Sequence, residues 1–200
     1  MTSSLPIVEQ FYTLQGEGYY SGRPAYFIRI GGCDIGCQWC DTRVSWNASR
    51  HPLKEVEEIV KNAADCKSRF VVITGGEPLM YNLDYICEGL HDAGLEISLE
   101  TSGAYPLSGK WDWICLSPKE NKPPVSGIFL KANELKVVIY EERDLDWAKK
   151  NALQMNPSCK LYLQPEWSVF RTISPVVVEY IKKNPEWNIS LQTHKIMRIP

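Results

Sequence analysis

The 200-residue chain carries 22 Lys and Arg against 24 Asp and Glu, a formal charge of -2, with 44% hydrophobic residues. A chain of this size can bury roughly 70% of the surface its unfolded form exposes, so one domain over residues 1–200 is expected. The mixed, near-neutral charge excludes the basic field of a nucleic-acid or anionic-membrane binder and favours a small-molecule substrate. No apolar run reaches the ~18 residues of a membrane span, and the amino terminus lacks the layout of a secretory signal, so no membrane partner and a cytoplasmic location are expected. Seven cysteines are an odd number; Cys66, Cys87, Cys115 and Cys159 are scattered without a pairing pattern, as reduced, packed thiols are.

Residues 8–15 read as a strand, and Gly16-Glu17-Gly18 turns the chain. Gly16, Gly18 and Gly22 superficially match a dinucleotide fingerprint, but the next element, residues 25–30, is a strand, so the stretch reads as a glycine-rich hairpin. Arg29 is a charge in an otherwise apolar strand. Two readings stand: an ion pair with a nearby carboxylate, or a planar fork for a substrate carboxylate.

The segment that follows, Cys33-Asp34-Ile35-Gly36-Cys37-Gln38-Trp39-Cys40, places three thiols with three and then two residues between them. Eight residues span at most roughly 29 Å when extended and, curled, bring three sulfurs round an iron–sulfur cluster. A closed cluster takes four thiolates, and no fourth cysteine lies nearby, so one iron stays open, the mark of a reactive site. Two blander readings compete. Positions 33, 37 and 40 would share one helix face, although Gly31-Gly32 and Gly36 oppose a helix; or the thiols bind zinc with His51 as fourth ligand. Asp41-Thr42 then offers hard oxygens of the kind magnesium accepts.

An amphipathic helix is predicted over residues 53–64, a strand over 70–74 ending in Gly75-Gly76-Glu77-Pro78, and a helix over 79–93. Strand 95–99 follows with Glu100-Thr101-Ser102-Gly103 at its end, then strands 113–116, 134–140 and 161–163, with a helix over 143–155. Polar residues recur at carboxyl ends of strands, where α/β barrels put their sites. The chain is short of the about 250 residues of a full barrel, so an abbreviated, partial (β/α) barrel with a parallel sheet and a reduced helical layer is expected. Residues 121–127, with Pro123-Pro124, form an irregular excursion; a helix over 175–183 has Pro175 in its first turn, and a strand covers 189–192. The apolar and basic end is read as docked, its Pro200 carboxylate either solvated or directed into the site.

The C-x3-C-x2-C spacing, with Trp39 before the last thiol, and the Gly-Gly-Glu turn at a strand end resemble the signature loop and the S-adenosylmethionine (SAM) motif of the radical SAM enzymes. The resemblance implies a [4Fe–4S] cluster on Cys33, Cys37 and Cys40 whose open iron is chelated by SAM, the source of a 5'-deoxyadenosyl radical. Leu14-Gln15-Gly16-Glu17-Gly18, Arg29, Cys40-Asp41-Thr42 and Gln192-Thr193-His194-Lys195 narrow the resemblance, from about residue 8 to Pro200, to the 7-carboxy-7-deazaguanine synthase family.

That family implies a SAM- and magnesium-dependent ring contraction of 6-carboxy-5,6,7,8-tetrahydropterin to 7-carboxy-7-deazaguanine with loss of ammonia, in queuosine and 7-deazapurine biosynthesis. It implies pterin contacts at Leu14, Gln15, Gly16, Arg29, Thr74 and Pro200, and magnesium at Thr42. SAM contacts are implied at Trp39, Cys40, Asp41, Gly76, Ser117, Pro118, Lys119, Gln164, Pro165, Glu166 and Trp167. Glu17 is suited to accept from the guanidine-like edge of a pterin. A homodimer and a flavodoxin-type electron donor are also implied. The rival enzyme reading is a glycyl-radical activating enzyme, which takes a protein substrate; a non-catalytic electron-transfer protein is the third.

Overall fold

The structure, a computed structural model, describes residues 4–200; the expected domain therefore begins three residues outside them. β1 (Ser4–Leu14) and β2 (Pro24–Ile30) form an antiparallel hairpin, with Leu14 opposite Pro24 and a register irregularity between Ile7 and Glu9. Gln15 N–H donates to Arg23 O and Gly22 N–H to Gln15 O, and Gly18 and Gly22 take positive φ. These glycines therefore turn a hairpin, and the fingerprint match has no structural content.

The remaining strands are β3 (Leu53–Glu55), β4 (Phe70–Gly75), β5 (Glu96–Thr101), β6 (Trp113–Leu116), β7 (Glu134–Ile139), β8 (Lys160–Pro165) and β9 (Trp187–Ile189). They make one sheet in the order β3-β1-β2-β4-β5-β6-β7-β8-β9, parallel from β2 to β9. The parallel strands run in chain order without a reversal, the single-direction winding of a barrel rather than of a doubly wound sheet. β3 and β9 do not pair, so the barrel is open.

Helices α1 (Val56–Ala64), α2 (Asp84–Asp92), α3 (Asp144–Ala152) and α4 (Phe170–Lys183) cover one face, and a short α5 (Thr193–Met197) ends the chain. The β5–β6 and β6–β7 connections contain no α-helix, which is the reduced helical layer expected from the length. Alternation along the strands assigns the two faces. Ile28, Ile30, Val71, Ile73, Ile97, Leu99, Leu135, Val137 and Leu163 are buried in the core under the helices. Arg29, Thr74, Glu100, Lys136 and Gln164, on the alternate positions, line one cavity that spans β2 to β8, so this face is concave.

The amino end of the barrel is shut. Ala25, Phe27, Phe70 and Val72 pack with Phe11 and Tyr20 in a second, smaller cluster. Tyr19 stacks on Trp113 at 4.7 Å between centroids, and Arg23 lies 3.9 Å over the Phe70 ring while binding Glu96 through both terminal nitrogens, at 2.9 and 2.5 Å.

Several boundaries differ from expectation, each for a tertiary reason. Residues 53–55, predicted as the start of a helix, pair as β3 with residues 4–6 of β1; Leu53 is 71% exposed and was never part of the helical stripe. β1 itself starts at Ser4 because that pairing extends it. α4 begins at Phe170, placing Pro175 inside the helix rather than in its first turn. Pro175 removes only the donor to Arg171 O, on an exposed residue, while Ser174 Oγ donates to Phe170 O. The last strand lies at 187–189, anchored by buried Trp187, not at 189–192, and α5 was not predicted.

All seven thiols are free; Cys87 and Cys115 are buried, Cys66 and Cys159 half-buried. Among the described residues no helix is long and apolar enough to cross a membrane.

Candidate active site

The cysteine loop is held by the segment after it. Gly32 N–H donates to Ser45 O and Cys33 N–H to Trp46 O, from a 3-10 turn over Arg43–Trp46. Gly32 and Gly36 adopt φ of 111° and 71°, and residues 33–40 form no helix, so the helical-stripe reading fails. Instead the loop curls, and Cys33, Cys37 and Cys40 face a cavity of about 290 Å3.

The irregular excursion after β6 has a definite job. Lys122 Nζ and Tyr105 OH donate to Asp34 at 2.7 and 2.6 Å, and Asn121 Nδ2 donates to Gly36 O at 3.2 Å. The loop is thereby clamped from the far side, and Trp46 Nε1 donates to Cys40 Sγ at 3.3 Å. Burial pushes the Cys33 and Cys37 thiols up, an effect that Lys119 partly offsets at Cys37.

The donor set tests what it can hold. His51 Nε2 bonds Val44 O at 2.8 Å and its ring packs on Gly31, so it is committed elsewhere. Thiolates on one zinc ion stand within about 4 Å of each other, given Zn–S distances near 2.3 Å. Among the described residues no three His, Cys, Asp or Glu side chains are grouped so as to hold a single metal ion. Three thiols spread round a shared cavity fit a cluster, whose irons are separate, and do not fit a single ion.

The Gly-Gly-Glu turn abuts this loop. Gly76 N–H donates to Ile30 O and Glu77 N–H to Gly32 O, and a Cβ on Gly75 or Gly76 would collide with the backbone of Ile30 or Gly32. Glu77 is 1% exposed. Its carboxylate accepts from Leu79 N–H, Thr101 Oγ1, Ser102 N–H and Ser102 Oγ, all within 3.0 Å. With its acceptor capacity taken up, Glu77 ties the ends of β4 and β5 together, while the missing side chains of Gly75 and Gly76 let this turn pack directly on the backbone of Ile30 and Gly32.

Below the loop lies a buried charge cluster. Lys136 Nζ donates to Glu17 at 2.7 Å and to Glu100 at 2.9 Å, and Gln15 Nε2 donates to Glu100 at 3.3 Å. Burial would raise the Glu17 carboxyl, but the Lys136 charge and hydrogen bond, with a bond from Gln192, bring it down to about 2. Glu17 is therefore an anion throughout the neutral range, an acceptor with no proton to give. The His194 ring packs on Gly16, where a Cβ would not fit, and burial lowers its basicity.

Both readings of Arg29 find support in its surroundings. Its Nε donates to Glu9 at 2.7 Å, directly across the β1–β2 ladder, and the side chain also lines the cavity. Across the cavity, Lys195 Nζ donates to Asp41 at 2.5 Å, and Thr42 Oγ1 donates to the other Asp41 oxygen at 3.1 Å.

Of the residues singled out from sequence, the cavity wall includes Leu14, Gln15, Gly16, Glu17, Arg29, Thr74 and Pro200. It also includes Trp39, Cys40, Asp41, Thr42, Gly76, Ser117, Lys119, Gln164 and Glu166. Three do not reach it. Pro118 and Pro165 are buried behind the strand ends, and Trp167 is 41% exposed, with Lys195 Nζ 5.7 Å from its ring. Lys136 was not expected in the site, and Glu100 only as one of the polar residues at the end of its strand. Lys136 is marked in the sequence as a charge just ahead of the apolar run of residues 137–139 in β7.

Comparison with known proteins agrees with this geometry. Residues 27–116 match the Radical SAM superfamily. The chain is 50% identical to a 7-carboxy-7-deazaguanine synthase of Flavobacterium psychrophilum over 98% of its length and 93% of the relative's. It is 48% identical to one of Synechocystis sp., over 100% and 95%. A crystal structure of QueE from Escherichia coli superposes with a TM-score of 0.85 at 28% identity, covering 95% of this chain and 94% of that one. None of these similarities favours the activase or the electron-transfer reading.

Proposed function

The chain belongs to the 7-carboxy-7-deazaguanine synthase family of the radical SAM superfamily, and from that premise we propose that it contracts 6-carboxy-5,6,7,8-tetrahydropterin to 7-carboxy-7-deazaguanine with release of ammonia. It is a radical SAM lyase of queuosine and 7-deazapurine biosynthesis, dependent on a [4Fe–4S] cluster, SAM and magnesium. One observation carries the reading: the three thiols, the paired glycines and the charged groups of the hairpin face a single cavity.

When bound, the cluster and SAM supply one-electron cleavage of the sulfonium and hence the radical chemistry; the chain supplies position. Cys33, Cys37 and Cys40 would hold the cluster. SAM would lie along Trp39, Cys40, Asp41, Gly76, Ser117, Lys119, Gln164 and Glu166, with Pro118, Pro165 and Trp167 supporting that wall from outside it. Gly76 brings this turn against the cysteine loop, since a Cβ there would meet the Gly32 carbonyl and the Cys33 side chain.

The pterin would sit against Leu14, Gln15, Gly16, Glu17, Arg29, Thr74 and Pro200. Glu17, kept anionic by Lys136, accepts from its guanidine-like edge. Among the described residues the terminal nitrogens of Arg29 have no hydrogen-bond partner, since Glu9 takes Nε, which leaves them to fork a carboxylate. Thr42 would hold magnesium against the same carboxylate. A hydrogen is removed from whichever carbon lies nearest the radical, so fixed orientation is the protein's largest contribution.

The reading extends to a single domain over residues 1–200, supported by the continuous sheet. It extends also to a cytoplasmic homodimer served by a flavodoxin-type donor, supported by the family and by the free thiols. Anaerobically reconstituted protein given SAM, reductant and carboxytetrahydropterin should yield the deazapurine. SAM cleavage without that product would transfer the assignment to a glycyl-radical activase.

A further inference from the structure

The carboxyl-terminal segment reaches across the cavity to the cysteine loop. Lys195 Nζ lies 2.5 Å from Asp41 Oδ2, a residue 154 positions earlier, and Gln192 Nε2 lies 3.5 Å from the same oxygen. Gln192 is itself held at both ends: Nε2 donates to Glu17 at 2.9 Å, and Oε1 accepts from Lys195 at 3.1 Å. The far oxygen of Asp41, Oδ1, accepts the Thr42 hydroxyl at 3.1 Å. A hydroxyl has one proton and two lone pairs. With the proton directed to Asp41, the lone pairs of Thr42 point away from it, into the cavity that Thr42 lines, as a hard-cation ligand requires.

We propose that Lys195, fixed by Gln192, is a positioning residue for magnesium: it fastens one oxygen of Asp41 so that the other takes the Thr42 proton and presents the Thr42 oxygen to the cation. The proposal rests on Thr42 being the magnesium ligand. Without Lys195 that Asp41 oxygen keeps only the 3.5 Å contact from Gln192, and the carboxylate no longer orients Thr42. Lys195 is not what seats its own segment. Thr193 N–H and Oγ1 both donate to Gly16 O at 2.9 Å, and Ile199 N–H donates to His194 O at 3.1 Å. Lys195→Met therefore leaves the helix in place and removes the charge together with its bonds to Asp41 and Gln192.

The test uses holoenzyme with SAM and carboxytetrahydropterin, without reductant, so that nothing turns over while magnesium is titrated calorimetrically. A second series measures rate against magnesium with reductant present. Lys195→Met should weaken magnesium binding tenfold or more and raise the half-saturating concentration by the same factor, with a smaller loss at saturation. Lys195→Arg should recover most of it. Lys182→Met, which deletes an exposed 2.7 Å pair with Glu179 on α4, should change neither. Unchanged or tighter magnesium binding in Lys195→Met overturns the proposal, as does an equal loss of rate at every magnesium concentration. Thr42→Val separates the two layers. If it too binds magnesium normally, the Thr42 assignment fails and takes the proposal with it; if it loses magnesium while Lys195→Met does not, Thr42 stands and the positioning role is wrong.

Discussion

The two ends of the parallel strands are built from the same elements to opposite ends. At the amino side, Phe70, Glu96 and Trp113 open β4, β5 and β6 and are met by Tyr20, Arg23 and Tyr19 of the hairpin turn, charge on charge and ring on ring. At the carboxyl side, Thr74, Glu100 and the groups of β7 and β8 face an open cavity instead. A single turn serves both: residues 19–23 seal the bottom, while Gln15, Gly16 and Glu17 form the cavity floor. Charge is held at each end by pairing, but only the open end leaves paired charges with a face toward a ligand. Substitutions should therefore sort by end, stability below and chemistry above.

Cys37→Ala should give the largest effect. It removes an open-end thiol that lines the cavity, so SAM cleavage should vanish while thermal unfolding of the cluster-free chain barely moves. Residual cleavage in the anaerobically reconstituted variant would break the assignment of the loop.

Glu134 lies at the boundary and belongs to neither end. It is 3% exposed; Oε2 accepts from Trp113 Nε1 at 3.0 Å and Tyr19 N–H at 3.3 Å, while Oε1 has no partner among the described residues. Burial raises its carboxyl; Lys136 pulls it back, Glu100 pushes it up again, and the balance is about 7. The unfolded chain releases that proton near pH 4.5 and the folded one near 7. Stability is thus lost as pH rises through this window, by about 3 kcal/mol. Glu134→Gln should be the more stable protein above pH 7 and lose its advantage below pH 5, as read by urea unfolding at pH 5 and 8. The same advantage at both would show that Glu134 is ionised in the fold. Glu17 has the opposite sign: lowered to about 2, it stabilises above pH 4.5, and that contribution fades as pH falls toward 2.

How much of this was legible in the sequence differs between the ends. The open end announced itself through local patterns: three thiols in eight residues, paired glycines after a strand, Asp41-Thr42 beside the last cysteine. The closed end did not, because Arg23 and Glu96 are 73 positions apart and nothing local marks them as partners. Lys136, Glu100 and Glu17 likewise meet only through the registers of β5, β6 and β7 and the fold of the hairpin. Strand alternation also accounts for Pro165, one of the three residues outside the cavity wall: it stands beside Gln164, which lines the cavity, and neighbours along β8 face opposite ways.

Arg23→Ala tests the closed end directly. It leaves Glu96 unpaired beside Phe70 and removes the cation from that ring. Both partners are about a third exposed, so solvent screening limits the loss to about 1.5 kcal/mol. Equilibrium unfolding should show that loss with kcat and KM unchanged; a large kinetic defect instead would mean the two ends are not separable.

Arg29→Lys should have the smallest effect, and the most specific. Lysine keeps the charge opposite Glu9, so the ladder pair survives, but it lacks the planar fork. If Arg29 serves only Glu9, the variant should behave as wild type in every assay. If its terminal nitrogens hold the pterin carboxylate, KM for carboxytetrahydropterin should rise about tenfold, or ~1.4 kcal/mol, with SAM cleavage in the absence of substrate unaltered. Glu9→Gln is the complement: it frees the Nε of Arg29 without touching the fork, and a KM shift as large as that of Arg29→Lys would return Arg29 to a purely structural role.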